Sequence, residues 1–72
     1  MNGWTVVYSD GFPPAVALRR GVLEGHDIPA VVLNKRDSSY LFGMVELLVR
    51  AEDAERAKGI LAAQDPTEFE AT

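Results

Sequence analysis

The run Gly43-Met44-Val45-Glu46-Leu47-Leu48-Val49-Arg50-Ala51-Glu52-Asp53-Ala54-Glu55-Arg56-Ala57-Lys58-Gly59-Ile60-Leu61-Ala62-Ala63-Gln64 changes its apolar period in mid-course. From Gly43 to Arg50 the pattern is that of a strand. Val45, Leu47 and Val49 share one face, and Met44, Glu46, Leu48 and Arg50 the other. From Ala51 to Gln64 the spacing is helical. Ala54, Ala57, Ile60 and Leu61 make one stripe, with Glu52, Glu55, Arg56 and Lys58 on the far side. Glu52 and Asp53 sit in the first turn, where the macrodipole favours acids. Asp65-Pro66 stops the helix.

Upstream, Trp4 to Tyr8 (WTVVY) is aromatic and β-branched and reads as a strand. Ser9-Asp10-Gly11 is turn chemistry. Pro13-Pro14 suits a helix's first turn, where a missing N–H costs nothing, with Ser9 or Asp10 available as a cap. The spacing predicts a helix from about Pro14 to Glu24. Its apolar stripe is Ala15, Leu18 and Val22, extended by Val16 and Leu23. Gly25 is expected to end it at positive φ. Gly21, inside the helix, costs about 1 kcal/mol against alanine, which suggests a close backbone neighbour. After Ile28, Pro29 to Asn34 reads as a second strand whose run Ala30-Val31-Val32-Leu33 suggests burial on both faces or at an interface. Lys35 to Tyr40 is a polar loop. The acidic tail, Thr67 to Thr72, has the choice of a small fourth strand around Phe69 or disorder, and disorder is expected at a terminus.

The order β-α-β-β-α is that of an α+β, ferredoxin-like two-layer sandwich lacking its usual last strand. One domain is expected over residues 1–66, followed by the tail, 67–72. The antiparallel sheet should be ordered 1-3-2, with both helices on one face. That leaves the edge at Trp4–Tyr8 open and the other sheet face only partly polar. Open apolar edges invite pairing with another chain. Trp4, Val6 and Tyr8 are the candidate self-association residues, and a homodimer or higher homo-oligomer is expected.

Composition points the same way. The chain has 72 residues and no cysteine. A domain this small buries only about 60–65% of its unfolded surface, and small scaffolds without disulfides or metals often gain stability by oligomerising. A net charge of −4 disfavours nucleic acid and anionic membranes. No apolar run approaches the ~18 residues of a membrane span. The N-terminus lacks the basic and apolar regions of a signal peptide. Together these lead to an expected cytoplasmic location.

Catalytic chemistry is sparse. His26 beside Asp27 could orient an imidazole base, but Gly25-His26-Asp27 reads better as the turn between helix and strand. Ser38 and Ser39 read as loop residues. One histidine and no cysteine give no transition-metal spacing, and no phosphate-binding glycine motif is present. No enzyme activity, no cofactor and no metal are therefore expected. Two features carry a binding hypothesis. The loop Asn34-Lys35-Arg36-Asp37-Ser38-Ser39-Tyr40 joins adjacent strands and offers two cations and an aromatic ring. Arg19 lies within the apolar sector of the first helix. Its stem could simply cover apolar surface, or its head could meet an anion or an interface. Arg19, Asn34, Lys35, Arg36 and Tyr40 are the candidate ligand or partner contacts.

The helix exit Leu23-Glu24…Ile28 and the run Glu46-Leu47-Leu48-Val49…Glu52-Asp53…Arg56-Ala57 carry a resemblance. From Trp4 to about Leu61 the chain resembles a small bacterial domain-of-unknown-function family, the putative prokaryotic signal-transducing proteins. That family is similar in fold to the PII nitrogen regulators. The open sheet edge, the small size and the sparse chemistry lead to the expectation of a regulatory or adaptor domain that binds a protein partner and self-associates, and the resemblance adds the signal-transducing label. A small-ligand sensor for an anion or metabolite is the alternative. The family offers no catalytic residue to carry over, and the long nucleotide-binding loop of the PII proteins has no counterpart in Lys35–Phe42. The chain departs from the family pattern at Arg19, usually apolar, at Leu48, often tryptophan, and at Asp27, usually glycine.

Overall fold

The computed structural model describes residues 2–34 and 44–64. Strand β1 (Trp4–Asp10) leads into helix α1 (Pro13–Gly25), then strands β2 (Ala30–Asn34) and β3 (Val45–Arg50). A 3₁₀ turn, Ala51–Asp53, precedes helix α2 (Ala54–Ala63). The sheet is antiparallel and ordered β1-β3-β2. Both helices pack on one of its faces, giving the ferredoxin-like α+β sandwich expected from the order of elements. The loop Lys35–Tyr40 and the tail Thr67–Thr72 lie outside the described residues.

The core forms where the two apolar periods meet. Val45, Leu47 and Val49 of β3 are buried against Val16 and Leu23 of α1 and Ala57 and Leu61 of α2, with Ile28 and Ala30 closing one end. β3 is central, so its inward residues are covered from both flanks and from above. β2 is an outer strand. Ala30 is buried, Val31 and Val32 are half-buried and Leu33 is exposed. Its apolar run therefore does not reflect burial on both faces.

In α1 the buried stripe is Val16 and Leu23, seven residues apart and almost in line. Leu18 is 66% exposed and does not join it. At about 100° per residue it lies some 160° around the helix from Val16. Ala15 and Val22 form the flank between them and are half-buried. Among the described residues Gly21 approaches no other backbone, since a Cβ there would meet nothing within 4 Å. Gly21→Ala should therefore stabilise the protein by about 0.5–1 kcal/mol through helix propensity alone. Urea denaturation would read this, and a loss of stability would mean a neighbour does approach.

Both helix ends differ from the sequence reading. The strand runs on to Asp10, and Phe12, not Ser9 or Asp10, is the N-cap of α1. Asp10 still shapes the entry, because its Oδ1 accepts the Phe12 N–H at 2.9 Å. At the exit the positive φ belongs to Asp27 (64°), with Gly25 still helical. The Ile28 N–H donates to the Leu23 carbonyl and the Asp27 N–H to the Glu24 carbonyl, both at 3.0 Å. These are the two bonds of a Schellman cap, and the hydrophobic pair that accompanies it is Leu23 with Ile28, both buried in the core. The exit at Leu23-Glu24…Ile28 is thus a capping motif. From α2, Arg56 Nη2 donates to the His26 carbonyl at 3.0 Å, satisfying a further group at the same helix end.

Candidate functional site

A bulge decides how β1 presents its side chains. Val6 pairs with Leu48 and Tyr8 with Leu47, so Val7 is the extra residue. In an unbroken strand Trp4, Val6 and Tyr8 would share a face. The bulge leaves Trp4 and Val6 on the face that, among the described residues, carries no helix (the helix-free face) and turns Tyr8 toward the helices, where it packs against the core. The three candidate self-association residues are therefore divided, and Tyr8 belongs to a different site.

The helix-free face carries, row by row, Trp4 opposite Arg50, then Val6 and Val31 flanking Leu48, then Ser9 and Leu33 flanking Glu46. Leu48, on the central strand, is only 5% exposed. Val6 and Leu33 are 40% and 36% exposed. The Arg50 guanidinium lies 5.7 Å from the Trp4 ring centroid, a cation–π contact at the outer limit of that interaction. Along β3 this face reads Glu46, Leu48, Arg50: an acid, an apolar centre and a base.

On the opposite face, Tyr8, Asp10 and Arg19 come together. The Tyr8 hydroxyl donates to Asp10 Oδ2 at 2.8 Å. Arg19 stacks over the Tyr8 ring, 4.2 Å from its centroid, and its Nη1 donates to the Ala15 carbonyl at 3.1 Å. The Tyr8 hydroxyl holds the Asp10 carboxyl below the ordinary aspartate range, assisted by the Phe12 N–H, with Arg19 adding a smaller pull. A carboxyl with a lowered folded pKa stabilises the fold at pH above its unfolded value of about 3.9, and that contribution fades as pH falls through the lower folded value. Tyr8→Phe should therefore raise the Asp10 titration midpoint toward the ordinary value, as followed by carboxyl-carbon NMR. An unmoved midpoint would show that the hydroxyl is not the main cause.

Beside this cluster, α1 and the end of α2 border a groove of about 540 Å³. Phe12, Leu18, Val22 and Leu61 supply its apolar wall, with Arg19 and Gln64 as polar members. A smaller pocket on the other side of Arg19 is bordered by Tyr8 and Lys58. This groove was not legible in the sequence reading, which assigned Leu18 to the core. The available signal was the offset of Leu18 from the Val16–Leu23 line.

Of the other candidates, Asn34 ends β2, exposed and in register with Val45. Lys35, Arg36 and Tyr40 lie outside the described residues, as do Ser38 and Ser39. His26 is exposed at the end of α1, where its backbone serves the cap. Among the described residues no three of His, Asp or Glu gather where they could hold a metal ion, and no helix is long and apolar enough to cross a membrane.

Neither the curated proteins nor the solved structures gave a significant match to the chain. A family model covers residues 4–64, from the first residue of β1 to the end of α2, including the bulged strand, the capped helix exit and the charged β3 face. The chain belongs to the family described as "Putative prokaryotic signal transducing protein".

Proposed function

We propose that this chain is a non-enzymatic regulatory or adaptor domain of the cytoplasm, and that it associates with a second copy of itself through the helix-free face of its sheet. The observation that carries this reading is the order Glu46, Leu48, Arg50 on the outer face of the central strand, flanked by exposed Val6. A homodimer needs a surface complementary to itself. Two such faces can stack about a two-fold axis lying between them. An axis along β3 would set Glu46 on Glu46 and Arg50 on Arg50. An axis across the strands over Leu48 sets Glu46 on the partner's Arg50 at both ends, and the exposed Val6 on its own copy. Charge selects the second arrangement.

The face favours this mode over edge pairing. The β1 edge carries the bulge at Val7, and a bulge twists an edge away from a continued ladder. Size limits the strength. Three strands of five or so residues span about 17 Å by 14 Å, well below the ~800 Å² per partner of a standard interface. The association is expected to be weak and concentration-dependent, which suits a regulatory contact. Static light scattering should show an apparent mass rising from monomer toward dimer, with a midpoint on the order of 10–100 µM. A constant monomer mass across that range would count decisively against the proposal.

A further inference from the structure

We propose that the groove between α1 and the end of α2 binds a small amphipathic carboxylate, with an aliphatic body in the apolar trough and its carboxylate on Arg19. This goes beyond self-association and rests on the opposite face of the sheet.

Dimensions come first. The groove's volume of about 540 Å³ falls within the range of roughly 300–1,000 Å³ seen for small-molecule sites. Its wall is formed by Phe12, Leu18, Val22 and Leu61. Phe12 and Leu18 are 62% and 66% exposed, the highest values among the large apolar side chains described. A pair this open, joined into one concave surface, gains by receiving an apolar body.

Charge then selects the head group. Among the described residues, Arg19 is the one charged member of the groove lining. It is held in place by the Tyr8 ring beneath it and by its bond to the Ala15 carbonyl, which leaves the rest of its fork of donors for a ligand. Lys58 borders the pocket on its far side and adds a second positive charge. Asp10 is the opposing charge nearby. Its two oxygens accept the Tyr8 hydroxyl and the Phe12 N–H, and it makes no ion pair with Arg19 within 4 Å. One preorganised guanidinium at the rim of an apolar trough matches a monoanion with a greasy tail. It does not match a polyphosphate, which needs several converging donors.

The test is an amide NMR titration of the full chain with octanoate and, in parallel, octan-1-ol. Octanoate should give saturable shifts centred on residues 12–22 and 61–64, with Val31 and Leu48 unmoved. It should bind about tenfold more tightly than the alcohol, a difference of about 1.4 kcal/mol. Arg19→Gln should abolish that preference while leaving octanol binding unchanged. Leu18→Glu, at an exposed position, should weaken octanoate without disturbing the fold. The proposal is overturned if millimolar octanoate gives no saturable shifts or if the shifts map to the sheet's outer face. Equal affinity for the alcohol, or a preference that survives Arg19→Gln, overturns it as well.

Discussion

Leu23→Ala is expected to cost about 3–4 kcal/mol, whereas the same truncation at Leu18, five residues earlier in the same helix, should stay within about 0.5 kcal/mol. Leu23 is fully buried among Val16, Ile28, Leu47 and Ala57. It is also the carbonyl that receives the Ile28 N–H and the side chain that meets Ile28 across the cap. Truncation opens a cavity and loosens the helix exit together. A domain of this length has on the order of 4–10 kcal/mol in total, so the variant should melt roughly 12–30 °C lower. Leu18 leaves almost nothing behind, because two thirds of it already faces water. Thermal denaturation followed by circular dichroism would separate the two. Equal losses at both positions would mean that α1 sits in a different rotation over the sheet, with Ala15, Leu18 and Val22 inward.

The second large effect concerns association. Glu46→Arg alone and Arg50→Glu alone should each weaken the proposed dimer at least tenfold, and the double swap should restore it to within about threefold. In the proposed two-fold arrangement each Glu46 faces the partner's Arg50, so a single reversal would create two like-charge contacts at once. The double variant re-forms both with the signs exchanged. Arg50 also lies near the Trp4 ring within its own chain, so monomer stability of each variant has to be measured alongside. Sedimentation equilibrium reads the dissociation constants. Additive losses in the double variant would rule out the proposed pairing of these two residues.

The architecture was legible because its decisive elements are strongly periodic. The alternation of Val45, Leu47 and Val49 and the stripe Ala57–Leu61 place β3 and α2 without ambiguity, and the order of elements then leaves few topologies. The misreadings have specific physical causes. Leu18 looked like a core residue because Ala15, Leu18 and Val22 satisfy helical spacing as well as Val16 and Leu23 do. Only the three-dimensional placement of the sheet chooses between them. Gly25 looked like the left-handed residue because glycine pays least there, yet Asp27 takes that role, as aspartate can. That position is where the family pattern usually has glycine. The bulge at Val7 has no signature in the sequence. A single extra residue reverses which side chains face inward, and so places Tyr8 on the helix side, under Arg19. Arg19 was visible as an anomaly in an apolar sector, but the ring beneath it and the groove beside it depend on the bulge and on the rotation of α1.

Self-association through the helix-free face is tested most directly by proximity. The chain contains no cysteine, so one introduced thiol reports alone. Val6→Cys, at an exposed position on that face, should be captured as a covalent dimer by a short bismaleimide. Glu55→Cys, on the exposed side of α2, should stay monomeric under the same conditions. Cross-linking at both positions alike, or at neither, would contradict the two-fold stacking of the sheets.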